Sequence, residues 1–408
     1  MSGGRFWRYA NKVFGLRAMA GALSDLRPKP QIALSAVWLS VVMMFATRLR
    51  SLNALEQQLR SSNRWSGLLG TRRPSDDSVG RVMAQIDAGQ LREHLRAAAL
   101  RLRRNKTLQD NPWPFRVVVL DGHEFFFSES YCCEQCSQRT VQRGGQSHIQ
   151  HVHRGVVAPL IGFDLVVPLD VEMLGPGEGE KSAARRLLTR LLKRYPRFFD
   201  LVAGDALYLE GPMFNLCLQH GKHAMAVLKN NTPALLADAQ ALFARQRPIT
   251  RREGQTSVEY WDEENFTTLS SVAVPLRVVQ VRETTTRIRV VARRRRRQSQ
   301  VHTWIWATTV SQAELPARQA RQIGHHRWHI ENRLFHPGAQ HWGMDHCYRH
   351  DPLAILNFIL TLLLTYLTLQ AFYYRNLKPC LRARLSLIQL ALQILAAGAP
   401  WRPLARAP

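Results

Sequence analysis

The chain has 408 residues, room for two or three domains at roughly 150 residues each, and 46% of them are apolar, which is enough to bury a sizeable core and excludes a disordered chain. Lys and Arg number 56 against 30 Asp and Glu, and a formal charge of +26 exceeds what solubility requires and points to a polyanionic partner. The excess is uneven: residues 1–110 carry +12, 111–284 balance at zero, 285–350 carry +9 and 351–408 carry +5. Of the cations 48 are Arg, whose planar fork suits bidentate phosphate contact, although a GC-rich genome produces the same bias.

The first 30 residues lack the uninterrupted apolar run of a signal peptide, and the first such run, Ile32 to Ala46, begins too late. Residues 31–105 read as helical. Asn53 with Glu56 makes a capping-box pattern, and Pro74-Ser75-Asp76-Asp77 offers a cap ahead of Val79, Val82, Met83 and Ile86 at helical spacing. A further helix is expected from about Gln90 to Arg104. Short helices with a basic surface suit DNA docking, and a solvated bundle is the bland alternative.

Asn111-Pro112-Trp113-Pro114 ends the helical pattern, and Phe115 to Asp121 is an apolar, β-branched run typical of a strand buried on both faces. Strand-rich sequence continues to Val171. Gly175 to Ser182 resembles a phosphate loop, but Glu180 stands where that loop needs Gly before Lys, so the stretch reads as a turn into a helix from Ser182 to Arg194. Phe198 to Asp205 is a second buried strand, Ala224 to Leu228 a third, and 233–245 a helix. Residues 255–310 alternate and read as a β-insertion, with the charge run Arg293 to Arg297 inside it, and Pro316 opens a long helix through Glu331. Leu353 to Tyr374 is 22 residues without a charge, long enough to cross a bilayer. Asn357, Thr361, Thr365 and Thr368 fall on one helical face within it, which favours a packed core helix over a membrane span.

Cys132, Cys133 and Cys136 crowd into five positions, a poor layout for a disulfide framework and a sign of a reducing compartment. Cys133-x-x-Cys136 is followed by His148, His151 and His153. These are zinc-ligand types at zinc-ligand spacing, and Cys133, Cys136, His151 and His153 are the expected Zn²⁺ set; imidazoles on a strand facing solvent or DNA are the alternative.

Asp121 follows VVVL and Asp205 follows LVAG, so two aspartates end buried strands, where an α/β sheet presents its ligands. Carboxylates brought close need a cation, and Mg²⁺ with its oxygen ligands is the simplest one. A third carboxylate, Glu331, lies four residues after Arg327 on the same helical face. Asp121 in DGHE, Asp205 in AGDALY and Glu331 in RWHIENRLF resemble the Asp, Asp and Glu of bacterial insertion-sequence DDE transposases with a ribonuclease H-like catalytic domain. The intervals are 84 and 126 positions, the second long as in relatives with a β-rich insertion before the glutamate. Arg327 and Glu331 match the Tyr, Arg, Glu, Lys signature of many relatives, whereas the Tyr position holds Gly324 and the Lys position Gly338.

The resemblance implies an α/β fold: a ribonuclease H-like mixed sheet with flanking helices and a β-rich insertion, plus a helical N-terminal region and a helical C-terminal cover. The expected parts are a DNA-binding region (1–110), a catalytic domain (111–375, with the insertion at about 250–312) and a helical tail (376–408). It further implies cleavage at the element's terminal inverted repeats and strand transfer into target DNA, two Mg²⁺ or Mn²⁺ ions held by Asp121, Asp205 and Glu331, and phosphate contacts from Arg327, Asn332 and Arg333, with a pair between Arg327 and Glu331 the equal alternative for Arg327. A homodimer in the synaptic complex and a cytoplasmic, nucleoid-associated bacterial protein with no membrane partner complete the expectation. Trp261, Trp304 and Trp306 are core residues or, as the resemblance allows, stacking platforms for an extruded base. A non-enzymatic DNA-binding protein, a regulator or a decayed transposase, is the alternative.

Overall fold

The computed structural model describes residues 3–291 and 294–399; Arg293 of the charge run and the end of the tail, 400–408, lie outside them. The apolar run after the Pro-rich break forms β1 (Val117–Val119), and after Leu120 the chain continues as β2 (Asp121–Ser128). Both pair antiparallel with one side of β4 (Gln146–Ile161), a 16-residue strand whose other side takes β5 (Val167–Met173) and β3 (Ser137–Arg143). β1 also pairs in parallel with β6 (Leu201–Gly204), and β6 with β7 (His223–Val227). Apart from His223 at the start of β7, the residues of β1, β6 and β7 are apolar or glycine and buried, as in a strand covered on both faces.

The β-insertion extends this sheet. β8 (Ile249–Glu253), β9 (Thr256–Phe266), β10 (Leu276–Val291) and β11 (Arg294–Thr308) form a meander that joins at β7 through β11. The result is one 11-stranded mixed sheet of order β2-β4-β1-β6-β7-β11-β10-β9-β8, with β3 and β5 attached to β4. With its flanking helices it is the expected ribonuclease H-like α/β architecture.

Helix starts follow side-chain chemistry. Ser75 caps Asp76–Met83, as expected, and Asp87 caps Ala88–Arg104, which starts two residues before the expected Gln90. Ser51, rather than Asn53, caps Leu52–Ser61 by accepting from the Ala54 amide, so the capping box read at Asn53 and Glu56 lies inside the helix. The helix after β5 starts at Glu180, two residues earlier than its sequence suggests.

Pro352–Ala371 is the axis of the molecule. Helices Leu34–Ala46, Asp76–Met83 and Ala88–Arg104 pack on it from one side and β5 from the other, in one hydrophobic core running from Phe6 to Ala399. Most of its polar stripe is paired inside the protein, while the buried Asn357 Oδ1 has no partner among the described residues. Asn357 Nδ2 donates to the carbonyls of Met83 (2.8 Å) and Ile86 (2.7 Å), Thr361 Oγ1 accepts from the Trp38 indole (3.1 Å), and Gln370 both accepts from and donates to the Val166 backbone. The helix is long and apolar enough to cross a membrane, but 83% of its most apolar window is buried against the rest of the chain.

Part of the N-terminal Arg excess is structural. Arg92 pairs with buried Asp170 (3.0 Å), and Arg48 donates to the His341 carbonyl (2.9 Å). At the other end of the sheet, Glu283 on β10 accepts from Arg321 and His325 of the helix Ala317–His326 at 2.5 and 2.7 Å. Burial alone would raise the Glu283 carboxyl; the two donors win and hold it at about 2.

Two stability predictions follow from these contacts. Asn357→Ala leaves two buried carbonyls without donors and is expected to cost about 1–3 kcal/mol in urea denaturation. A depressed folded pKa contributes stability that is complete above the unfolded value near 4.3 and is lost as pH falls toward 2. Wild type should therefore exceed Glu283→Gln by on the order of 1–3 kcal/mol at pH 7, with the gap closing between pH 4 and 2.5. A gap independent of pH would contradict this assignment.

Candidate active site

The parallel register of β1 and β6 sets the site. Val119 lies opposite Ala203, and the Leu120 amide donates to the Ala203 carbonyl (3.0 Å), so the two chains part together and Asp121 and Asp205 emerge side by side at the sheet's carboxyl end. Asp205 is oriented by its own turn: Oδ1 accepts from the Leu207 amide (2.8 Å) and caps the short turn Ala206–Tyr208. That turn sends Tyr208 back over Gly204, and its hydroxyl donates to Glu180 Oε1 (2.6 Å). Glu180, first residue of its helix, rests its carboxylate on Gly122, where a Cβ would fall inside the carboxylate group. Sequence reasoning missed Glu180 and Tyr208 as site residues; the one local signal is the glycine directly after Asp121.

Arg327 is the cation in this cluster. Its Nη1 donates to Asp121 Oδ2 (3.1 Å), its guanidinium lies 4.9 Å from the ring centroid of half-exposed Trp328, and its buried Nε has no partner. Burial pushes the Asp121 carboxyl up to about 6, Arg327 pulls it down, and Asp205 and Glu180 push it up again. Burial raises the Tyr208 hydroxyl far above its ordinary value, with Glu180 as the next cause, so it stays a proton donor to that carboxylate.

The helix expected to run unbroken to Glu331 does not. Ala317–His326 ends at Arg327 and Trp328, and Glu331–Phe335 is wound as a wide π-turn before His336–Trp342, a local form often found at functional sites. Glu331 opens that turn. It is exposed and, among the described residues, has no hydrogen-bond or ion-pair partner. The oxygens of Asp121, Asp205 and Glu331 are not all within 4.8 Å of one another. The structure thus brings Asp121, Asp205 and Arg327 together, adds Glu180, and sets Glu331 one turn beyond Arg327. Asn332 is exposed, whereas Arg333 donates to the Phe163 carbonyl (3.1 Å).

Packing explains both departures from the Tyr, Arg, Glu, Lys signature. A side chain at Gly324 would collide with the Trp306 indole, and one at Gly338 would meet Met344 Sδ at 2.7 Å. Trp306 and Trp261 are buried core residues, and half-buried Trp304 lines a cleft of about 630 Å³ with Ala206, Lys229 and Asn231 beside Asp205. The remaining acids have other tasks: Asp170 sits between Arg92 and Arg190, Asp164 is exposed near Arg375, and Asp345 Oδ1 lies 2.9 Å from His123 Nε2.

The Cys/His expectation needs one correction. Cys133, Cys136 and His153 come together, but the fourth member is His350, not His151. His151 lies two residues further along β4, roughly 6–7 Å away along the strand, where it faces Ser128 and Gln138 in the ladder. All six cysteines are free.

Residues 112–368, more than half of the chain, match the family described as Transposase DDE domain. No curated protein matches the chain significantly.

The electrostatic account of Asp121 has a direct check by carbon-13 carboxyl NMR of the metal-free protein. Arg327→Gln removes the lowering cation, so the Asp121 pKa should rise above about 6; Glu180→Gln removes a raising anion, so it should fall. Shifts in the opposite directions, or none, would overturn the grouping.

Proposed function

The chain belongs to the transposase DDE-domain family, and on that premise we propose that it cuts DNA at the ends of a mobile element and joins the freed ends to target DNA. The observation that carries this reading is a charge imbalance: three carboxylates, Asp121, Asp205 and Glu180, lie close together, and Arg327 pairs with Asp121. Hard oxygen donors with excess negative charge fit Mg²⁺ or Mn²⁺, and poorly fit soft metals. Asp121 and Asp205 would hold the ions, with Glu331 closing from the facing helix. When bound, a pair of such ions activates a water or a DNA 3′-hydroxyl and stabilises charge on the phosphate and the leaving oxygen.

The residues around the acids have definable tasks. Tyr208 and Gly122 keep the Glu180 carboxylate beside Asp121, which raises the negative potential there. Arg327 offers its unpartnered Nε and its second amino group to a phosphate oxygen once its hold on Asp121 is relaxed. Exposed Asn332 is a second phosphate contact, and Arg333, already engaged by Phe163, contributes least. The basic excess in 1–110 and 285–350 would grip DNA on either side of the neutral block that carries Asp121 and Asp205, so affinity should fall steeply with salt. In this reading 1–110 is the DNA-binding region, 111–375 the catalytic domain and 376–408 a tail, and two copies hold the two ends in the cytoplasm. A zinc ion, by its preference for thiolate and imidazole, belongs at the Cys/His cluster and not at the carboxylates.

The test is cleavage of a DNA carrying the element's flanking repeats in the presence of Mg²⁺. Asp121→Ala, Asp205→Ala and Glu331→Ala should each lower the cleavage rate by on the order of 10²–10³-fold or more while leaving DNA affinity within a few-fold. Undiminished cleavage by Asp121→Ala overturns the assignment, and a wild type that binds the repeats without cutting them favours a non-enzymatic DNA-binding protein.

A further inference from the structure

Three separate parts of the chain converge at a buried point away from the carboxylates. The turn after β2 brings Cys133 and Cys136, β4 brings His153, and the segment before the axial helix brings His350, 214 positions after Cys136. The contacts are Sγ–Sγ 3.6 Å between the cysteines, 3.3 and 3.1 Å from their sulfurs to His153 Nε2, and 3.2 Å from Cys136 Sγ to His350 Nε2. A disulfide needs sulfurs about 2.05 Å apart, so this is not a nascent crosslink. A tetrahedral ion bound at about 2.3 Å to sulfur and about 2.0–2.1 Å to nitrogen would instead set its ligands roughly 3.3–3.8 Å from one another, close to the separations found.

The local backbone is shaped for the same purpose. The Cys136 amide donates to the Cys133 carbonyl (3.1 Å) and the Cys133 amide points at Cys136 Sγ (3.3 Å), a tight turn that aims both sulfurs one way. His153 is stacked on Phe126 with centroids 5.0 Å apart, and the two imidazoles meet edge to face at 5.5 Å. No carboxylate belongs to the set. Two sulfurs and two ring nitrogens in a closed arrangement are the donor set of a structural zinc, with no position left for substrate.

We propose that Cys133, Cys136, His153 and His350 bind one structural Zn²⁺ that clasps the β2–β4 excursion to the segment following the Glu331 helix. A second link runs parallel to it. His123 on β2 contacts Asp345 and stacks on Phe335 at 4.4 Å, so zinc and the His123–Asp345 contact together fix residues 335–350 against β2. The proposal is independent of any metal at Asp121 and Asp205, because it concerns different residues and a different donor chemistry.

Full-length protein purified without chelator should contain about one zinc per chain by plasma mass spectrometry, and exchange for Co²⁺ should give the visible bands of a tetrahedral S₂N₂ site. His350→Ala should lose this metal and lower the melting temperature, whereas His151→Ala should retain it. If His350→Ala does not fold, His350→Cys answers the same question: the Co²⁺ spectrum should move toward S₃N. Absence of zinc together with absence of tetrahedral Co²⁺ bands in the wild type overturns the proposal. So does retention of full zinc in His350→Ala, or an unchanged Co²⁺ spectrum in folded His350→Cys.

Discussion

Two negative charges held side by side by a sheet register are the constraint from which the rest of this site follows. β1 and β6 run parallel with Val119 opposite Ala203, and any chain with an acid just beyond each strand must deliver both acids to one place. Uncompensated, that arrangement opposes folding, since burial and proximity both disfavour the ionised forms. The protein adds a third anion, Glu180, and answers with one arginine, so the metal-free site is left short of positive charge. The same imbalance runs through the sequence at a larger scale, where the neutral block 111–284 lies between basic flanks.

Close packing tunes the site as much as charge does. Glu180 reaches Asp121 only because Gly122 has no side chain, and Tyr208 holds it only because Gly204 lets the ring fold back across the strand end. The same economy shapes the two helices on either side of Arg327 and Glu331. Trp306, projecting from the insertion strand β11, fills the space over Gly324, and Met344 fills it at Gly338. The insertion is therefore more than an appendage. Through β7 and β11 it continues the sheet that carries Asp121 and Asp205, and through Trp306, Arg321 and Glu283 it props the helix that ends at Arg327.

Features written in consecutive residues were legible from sequence, and features made by distant residues were not. Apolar runs ending in Asp121 and Asp205 announced two buried strands and two acids, and the polar stripe Asn357, Thr361, Thr365, Thr368 announced a packed helix. Glu180 gave no sign, because its role arises from a contact with Gly122 and a hydroxyl 28 positions away. The wide turn at Glu331 was equally hidden, since the i, i+4 spacing of Arg327 and Glu331 reads the same in an unbroken helix. His350 illustrates the general reason: spacing along an excursion can nominate ligands within it, but the fourth donor comes from a segment that only the folded chain brings near.

The axial helix Pro352–Ala371 bears on how the protein is made. Its hydrogen-bond partners, Trp38, Met83, Ile86 and Val166, are all synthesised before it, so during translation the apolar surfaces that will enclose it stand open until residues 352–371 have left the ribosome. A chain that stops short of residue 352 therefore lacks the centre of its core as well as its tail. Such a fragment would keep both aspartates and Glu331 yet expose a long apolar groove, the kind of surface that invites aggregation and chaperone capture.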